Sequence, residues 1–153
     1  AGSALLRAAV GGLAATMRES LLIFAPSFHS FRRFGPNFFV PVHATWGYNN
    51  RSVAFRVPSG PAAARRIEHR IAGADANPYL ALAAILAGML HGIERKLDPG
   101  APATTDVSGS IDRKIPFQWH EAIVALRNEG RIAEEVMHRL QRDLDLEDSR
   151  LDV

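Results

Sequence analysis

Apolar and polar residues alternate in two stretches of the chain, which is the pattern of a half-buried strand. In RSVAFRVP, residues 51–58, the side chains of Val53, Phe55 and Val57 share one face. In RRIEHRI, residues 65–71, one face carries Ile67, His69 and Ile71, and the other carries Arg66, Glu68 and Arg70. The stretch VHATW, residues 42–46, is rich in β-branched and aromatic residues and is also predicted to be a strand.

Helical patterns flank this strand-rich region. Residues 5–18 are mostly Ala, Leu and Gly and predict a first helix, with Arg7 and Arg18 exposed. Asn77 is a good N-cap and Pro78 suits the first turn, so a long helix is predicted over residues 77–96.

The remaining segments are predicted from residues that interrupt helices and strands. Prolines within residues 25–41 exclude a continued helix and indicate an ordered loop. Residues 97–116 are rich in Pro, Gly, Ser, Thr and Asp and predict a connector of low order. Residues 117–145 predict two amphipathic helices, interrupted near residues 128–130.

Together these elements, strands flanked by helices, predict one domain of α+β class. The chain has 153 residues, of which 47% are hydrophobic, and this suffices for one core. The uncharged run at residues 76–93 contains many Ala, Gly and polar residues, so a buried helix is favoured over a membrane span. The absence of cysteine excludes disulfides and thiolate metal sites. No basic segment precedes an apolar one at the N-terminus, and a cytoplasmic protein is expected.

The charge pattern changes this picture locally. Lys and Arg number 18 against 16 Asp and Glu, a net charge of +2 that by itself does not indicate nucleic-acid binding. Between residues 18 and 70, however, the only carboxylates are Glu19 and Glu68, so most arginines there lack a local partner. Two interpretations remain open: solvated ion pairs, or a site for a phosphate or carboxylate.

Glu68 and His69 each allow two roles. Glu68 can pair with arginine, or it can ligate a hard cation such as Mg²⁺ or Mn²⁺ with help from other ligands. His69 lies on the Ile67/Ile71 face, which favours a core histidine over a metal ligand. The sequence contains no phosphate-binding glycine loop, catalytic triad or metalloprotease motif.

Three motifs in a fixed order, Asn-Arg-Ser…Arg-Val-Pro, Arg-x-Glu-x-Arg and Ala-Asn-Pro-Tyr-Leu, are more specific than any of these residues. SFRRFGPNFFVPVHATWGYNNRSVAFRVP is followed by RRIEHRIAGADANPYLALAAILAGMLHGI, from residue 30 to residue 93. This order resembles the C-terminal part of the catalytic domain of the glutamine synthetase family. That family joins the γ-carboxylate of glutamate to an amine, using ATP and Mg²⁺ or Mn²⁺, through γ-glutamyl phosphate. The resemblance implies that residues 1–153, with antiparallel strands packed against helices, form this part of a cytoplasmic, ring-forming homo-oligomer that binds neither nucleic acid nor membrane.

The resemblance also implies a role for each matching residue. Arg51 and Arg56 would contact the phosphates of ATP and stabilise the phosphoryl group in transfer, and Arg66 would lie near the nucleotide. Arg33 and Arg70 would bind glutamate, Arg33 through a carboxylate or the acyl phosphate. Glu68 would ligate a divalent metal ion.

Two departures from the family pattern refine the expectation. Where glutamine synthetases carry an acidic residue that guards the ammonium site, this chain has Phe39, so the resemblance is to the γ-glutamylpolyamine or γ-glutamylputrescine synthetase branch. The family's other metal ligands lie upstream of the matched region, which implies that the chain alone is inactive. The alternatives are a non-catalytic arginine-rich module that binds anions or nucleic acid, and a structural remnant used for oligomerisation.

Overall fold

A computed structural model describes residues 3–35, 40–41, 43–109, 115–116 and 118–128. Its helices and strands are, in chain order, α1 (Ala4–Thr16), α2 (Leu21–Phe24), α3 (Phe28–Phe31), β1 (Trp46–Tyr48), β2 (Phe55–Val57), β3 (Glu68–His69), α4 (Pro78–Arg95) and α5 (Trp119–Asn128). A short 3₁₀ turn, Ala62–Ala64, precedes β3. The predicted α+β class is confirmed.

Both long helices begin at capping side chains, of which Asn77 was predicted and Ser3 was not. In α1 the Ser3 hydroxyl accepts a hydrogen bond from the Leu6 amide at 3.2 Å. In α4 the Asn77 side chain accepts from the amides of Tyr79 and Leu80 at 3.0 and 3.3 Å, and Pro78 occupies the first turn. These contacts satisfy amides that have no partner within a helix, so local chemistry fixes both starts.

The sheet has the order β1-β2-β3, which makes β2 its central strand. Strand β3 pairs antiparallel with β2, in a register that places Arg56 opposite Glu68. Strand β1 pairs parallel with β2, so the prediction of antiparallel strands is wrong for this pair. The strand predicted over residues 42–46 is also misplaced, because the ladder with β2 begins only at Trp46, opposite Phe55.

The core lies between the sheet and the helices. Its largest fully buried side chains come from α1, the α1–α2 connection, α2 and all three strand regions: Val10, Met17, Leu21, Trp46, Val53, Phe55, Val57 and Ile71. The predicted inward face of β2 is confirmed, since Val53, Phe55 and Val57 are each at most 2% exposed. Helix α5 closes one side through Trp119, whose indole donates to the Pro26 carbonyl at 3.1 Å.

Helix α4 differs from the buried helix that the sequence predicts. It packs closely on α1 through small residues such as Gly88 and Gly92, but Tyr79, Leu82 and Leu86 on another face are more than half exposed. Within the described ranges, no helix has both the length and the apolar character needed to cross a bilayer.

Two loop predictions also need correction. The region of residues 25–41 contains the helix α3, because Ser27 and Ser30 form a capping box that closes a single turn. The connector after α4 is anchored: the Ala103 amide donates to the Trp46 carbonyl at 2.8 Å, and the Asn50 amide group donates to the Thr105 carbonyl at 2.8 Å.

Arg7, predicted to be exposed, is half-buried over the Trp46 ring and pairs with Asp98 at 2.5 Å. The second helix predicted in residues 117–145 lies outside the described residues.

Candidate active site

Glu68 is the centre of a cluster of charged side chains on β2 and β3. Because Arg56 lies directly across the ladder from Glu68, its Nη1 reaches Glu68 Oε2 at 2.7 Å. Arg70, two residues further along the chain, approaches the other carboxylate oxygen, with Nε 3.6 Å from Oε1. Oε2 is therefore held by a short charge-assisted hydrogen bond, while Oε1 is held loosely on a side chain that is 39% exposed.

Arg70 links this cluster to the turn that carries Arg51. Its Nη1 donates to the carbonyl oxygens of Arg51 and of Val53, the second at 3.2 Å. Burial lowers the pKa of the Arg70 guanidinium, Glu68 raises it, and the positive charges of Arg56 and Arg51 lower it again. Two guanidinium groups thus pair with the Glu68 carboxylate and a third, that of Arg51, acts on Arg70, so the excess of positive charge favours an anion at this surface.

Arg56 is oriented by a residue that the sequence argument missed. Asn49 Oδ1 accepts from Arg56 Nη2 at 3.3 Å and from the Ser59 amide at 3.2 Å. The backbone of Asn49 is left-handed, with φ 54°, a conformation that asparagine tolerates better than most residues. The Asn-Asn pair in the sequence was a usable signal for this turn.

Arg56 also keeps one donor unused. Its Nε is buried and has no hydrogen-bond partner among the described residues. A buried donor without an acceptor is unfavourable, so an acceptor from outside the described residues would stabilise the Arg56 guanidinium.

The side chain of Arg51 is exposed at the tip of the turn formed by residues 49–52. The neighbouring Asn50 fixes this turn, since its Oδ1 accepts from the Ser52 amide at 2.9 Å and its Nδ2 donates to the Ala103 and Thr105 carbonyls. The turn and residues 104–106 line an open groove. Arg51 can therefore contact a ligand in that groove without moving the backbone.

Arg33 lies beside the cluster, at the end of α3. Its Nε donates to the Ser30 carbonyl at 3.1 Å, and its Nη2 donates to the carbonyl of Ile71, the residue after Arg70, at 3.2 Å. The structure thus brings the predicted site residues Arg51, Arg56, Glu68 and Arg70 together and places Arg33 next to them.

Arg66 does not join them. Alternation along RRIEHRI places it on the same face as Glu68, but the strand covers only Glu68–His69, and Arg66 lies before it. Its Nη1 donates to the Ala64 carbonyl at 3.3 Å, and the exposed side chain lines a groove with residues of α1 and α4. The ion pairs of Glu68 in the described part of the chain go to Arg56 and Arg70. Phe39 lies outside the described residues.

The prediction that His69 is a core histidine is confirmed by its packing, although its buried Nδ1 has no hydrogen-bond partner among the described residues. Its ring packs on Phe24 and Phe55, with centroid distances of 4.4 and 5.5 Å. Burial lowers the pKa of His69 to about 4, so the imidazole is neutral at pH 7. It contributes packing rather than charge to the strand that carries Glu68.

A divalent cation would find one suitable ligand in this cluster. The described residues contain no group of three His, Asp or Glu side chains that would hold a metal ion. Glu68 Oε1, loosely held and partly exposed, fits as a single oxygen ligand of a hard cation. Further ligands would have to come from outside the described residues.

Comparisons with known proteins agree on one family. A family model described as glutamine synthetase, catalytic domain, matches residues 1–141. The chain is 46% identical over 108 residues to gamma-glutamylputrescine synthetase of Escherichia coli (strain K12), which covers 71% of this chain and 22% of that protein. It is 40% identical over 116 residues to glutamate–isopropylamine ligase of Pseudomonas sp, covering 74% of this chain and 25% of that protein.

More distant relatives and a solved structure extend the match. The chain is 35% identical over 150 residues to glutamine synthetase of Sulfolobus acidocaldarius, covering 90% of this chain and 32% of that protein. A solved structure described as apo GmaS without ligand is 32% identical, has a TM-score of 0.68, and covers 88% of this chain and 30% of that chain. The chain thus spans between about a fifth and a third of the length of these relatives. It belongs to the glutamine synthetase family and corresponds to part of the catalytic domain.

Proposed function

We propose that this chain forms one wall of the active site of an ATP-dependent ligase that joins the γ-carboxylate of glutamate to an amine. The observation that carries the proposal is the cluster of Arg56, Glu68 and Arg70 on paired strands, in a chain of this family. Its excess of guanidinium groups suits the anions that such a reaction handles: a carboxylate, a triphosphate and an acyl phosphate.

The reaction assigns a task to each arginine. In the first step the γ-carboxylate of glutamate attacks the terminal phosphorus of ATP, ADP leaves, and γ-glutamyl phosphate forms. Arg51, exposed at its groove, and Arg56, held beside Glu68, would neutralise charge on the phosphoryl group during this transfer. In the second step the amine attacks the γ-carbonyl carbon, phosphate leaves, and the nitrogen loses a proton.

Arg33 and Arg70 would hold glutamate and its acyl phosphate in place for both steps. Glu68 would ligate a divalent cation through Oε1, and that cation would neutralise phosphate charge when bound. Arg56 and Arg70 already orient the Glu68 carboxylate, so this oxygen ligand would be in position before the metal ion binds. Arg66, exposed and apart from this cluster, would contribute at most an outer contact to the nucleotide.

An organic amine is the proposed acceptor. Two relatives, at 46% and 40% identity, are named for putrescine and isopropylamine, whereas the glutamine synthetase of Sulfolobus acidocaldarius is 35% identical. Phe39 supports the same choice, because a phenyl ring at that position cannot stabilise ammonium or take its proton as a carboxylate can.

The direct test measures ADP release by a family-length protein that includes this chain, with glutamate, Mg²⁺ and one of three amines: ammonia, putrescine or isopropylamine. We expect faster release with an organic amine than with ammonia. Equal or faster release with ammonia would refute the acceptor proposal. Absence of release with every amine, together with salt-sensitive nucleic-acid binding that needs no metal, would instead support an arginine-rich binding module.

The role of Glu68 has its own test. In the same protein we expect Glu68→Ala to reduce metal-dependent turnover by at least about 100-fold, a loss typical of a metal ligand or its immediate partner. Arg32→Ala is the matched control, because Arg32 is exposed and adjacent to the site arginine Arg33. Turnover that survives Glu68→Ala would rule out the ligand role.

A further inference from the structure

The loop between β3 and α4, residues 72–76, passes next to the guanidinium group of Arg33. Its backbone is anchored at both ends of a short turn: the Gly73 amide donates to the Phe24 carbonyl at 2.8 Å, and the Ala76 amide donates to the Gly73 carbonyl at 3.2 Å. The loop therefore presents a fixed surface to Arg33.

Arg33 is oriented mainly by backbone carbonyls. Ser30 and Ile71 each accept one of its N–H groups, and the guanidinium carbon lies 5.3 Å from the centre of the Phe34 ring. These contacts engage only some of the five N–H donors of the Arg33 guanidinium. The position of the guanidinium therefore decides where its remaining donors point.

Gly73 has no side chain and so leaves room for the Arg33 guanidinium. A Cβ atom at residue 73 would lie 2.8 Å from Arg33 Nη2 and 2.6 Å from Asp75 Oδ1, both closer than any real Cβ contact. The two obstructing atoms are the ends of flexible side chains rather than backbone. A methyl group here would therefore displace the Arg33 guanidinium while the fold stays intact.

Asp75 anchors the helix from which Arg33 extends. Its Oδ2 accepts hydrogen bonds from the hydroxyls of Ser27, at 2.8 Å, and of Ser30. These two serines form the capping box of α3, and Ser30 also supplies the carbonyl that binds Arg33 Nε. One loop thus controls both the space around the guanidinium and the helix that carries it.

We propose that Gly73 and Asp75 are positioning residues for Arg33. This inference rests on the proposed function, in which Arg33 binds glutamate or its acyl phosphate. Nothing in the inference requires either residue to touch the substrate: Gly73 acts by the absence of a side chain, and Asp75 acts through Ser27 and Ser30 and, to a smaller extent, through the attraction between its charge and Arg33.

The test compares Gly73→Ala with Gly60→Ala, whose added Cβ would make only an ordinary contact of 3.8 Å with Ala64. The first readout is the Arg33 Nε–H resonance in the ¹⁵N-arginine-labelled chain, assigned with Arg33→Lys. The second is KM for glutamate in a family-length protein that includes the chain. We expect Gly73→Ala to shift the resonance and raise KM about tenfold, as expected for one weakened charge-assisted contact, with kcat little changed. Gly60→Ala should change neither.

Asp75 provides a second pair of variants. Asp75→Asn keeps an acceptor oxygen for the two serine hydroxyls and should retain most of the glutamate affinity, whereas Asp75→Ala should raise KM. Equal KM values for these two variants would overturn the role of Asp75.

The outcomes separate this inference from the proposed function. An unshifted Arg33 resonance in Gly73→Ala, or loss of the fold in that variant, would overturn the positioning role of Gly73. A shifted resonance with unchanged KM would confirm positioning and refute glutamate binding by Arg33.

Discussion

Gly12 lies where α1 crosses α4, and its replacement by alanine gives a sharp test of the fold. A Cβ atom at Gly12 would collide with the Gly88 carbonyl oxygen and would lie 2.5 Å from the Gly92 nitrogen and 2.6 Å from the Gly92 Cα. All three are backbone atoms inside a helix and cannot rotate away. We therefore predict that Gly12→Ala lowers stability, although alanine is the better helix former.

The magnitude follows from two opposing terms. Alanine in place of glycine in a helix gains up to about 1 kcal/mol. Carbon atoms in contact lie about 3.5–4.0 Å apart, so the two helices would have to separate by about 1 Å. Overpacking of a core costs about 1–3 kcal/mol or more, and a clash between two backbones belongs at or above the upper end of that range. The net loss is about 2 kcal/mol, which for a chain of this size lowers Tm by about 4–8 °C.

Thermal unfolding followed by circular dichroism measures this loss. Gly88→Ala is the matched control at the same crossing, because its Cβ would meet the Thr16 hydroxyl at 2.7 Å and a Leu13 methyl at 3.4 Å. Both atoms belong to side chains that can move, so the control should lose less than half as much in Tm. A Tm for Gly12→Ala at or above the wild-type value would refute the backbone contact between α1 and α4.

Two further predictions concern single side chains. Burial lowers the pKa of His69 to about 4. Between pH 6.5 and 4 the unfolded chain therefore binds a proton that the folded chain does not. As the pH falls through this range, the free energy of unfolding should decrease by up to about 3 kcal/mol. Urea unfolding at pH 7, 5.5 and 4.5 should show this loss, and His69→Phe should reduce it; an unchanged pH profile in the variant would contradict the assignment. Lys96 ends α4 with a left-handed backbone, φ 52°, a conformation that glycine adopts more easily than lysine. Lys96→Gly should therefore raise the urea midpoint by the equivalent of about 1 kcal/mol. A lowered midpoint would show instead that the lysine side chain stabilises the end of the helix.

The elements that the sequence predicted well are those fixed by local chemistry. Helix α4 begins and ends within one residue of its prediction, because Asn77 and Pro78 define its start. The position of β1 was predicted less well, because its residues form a ladder only where β2 lies beside them. Neither strand contains a signal for the parallel pairing, which depends on how the intervening turn packs.

The candidate site likewise combines features that local sequence predicts with features that only strand pairing determines. The alternating pattern identified Glu68 and Arg70 correctly as neighbours on one face, and the scarcity of carboxylates predicted an excess of positive charge. The partner that holds Glu68 most closely is Arg56, and only the strand register places it there. Arg66 has the right spacing for the same face but lies before the strand begins, so spacing alone overestimated its role.

The arginines of the site are fixed by three kinds of contact. Backbone pairing of β2 with β3 sets Arg56 against Glu68, and the side chain of Asn50 holds the turn that carries Arg51. Arg33 instead depends on a separate loop, through Gly73 and its neighbours. Arg70 and Asn49 couple the turn to the paired strands, whereas the loop shares none of these contacts with the turn, so a substitution in the loop should leave the turn nearly unchanged. Changes in the loop are therefore expected to weaken glutamate binding with nucleotide binding retained, whereas changes in the turn should weaken the binding of both.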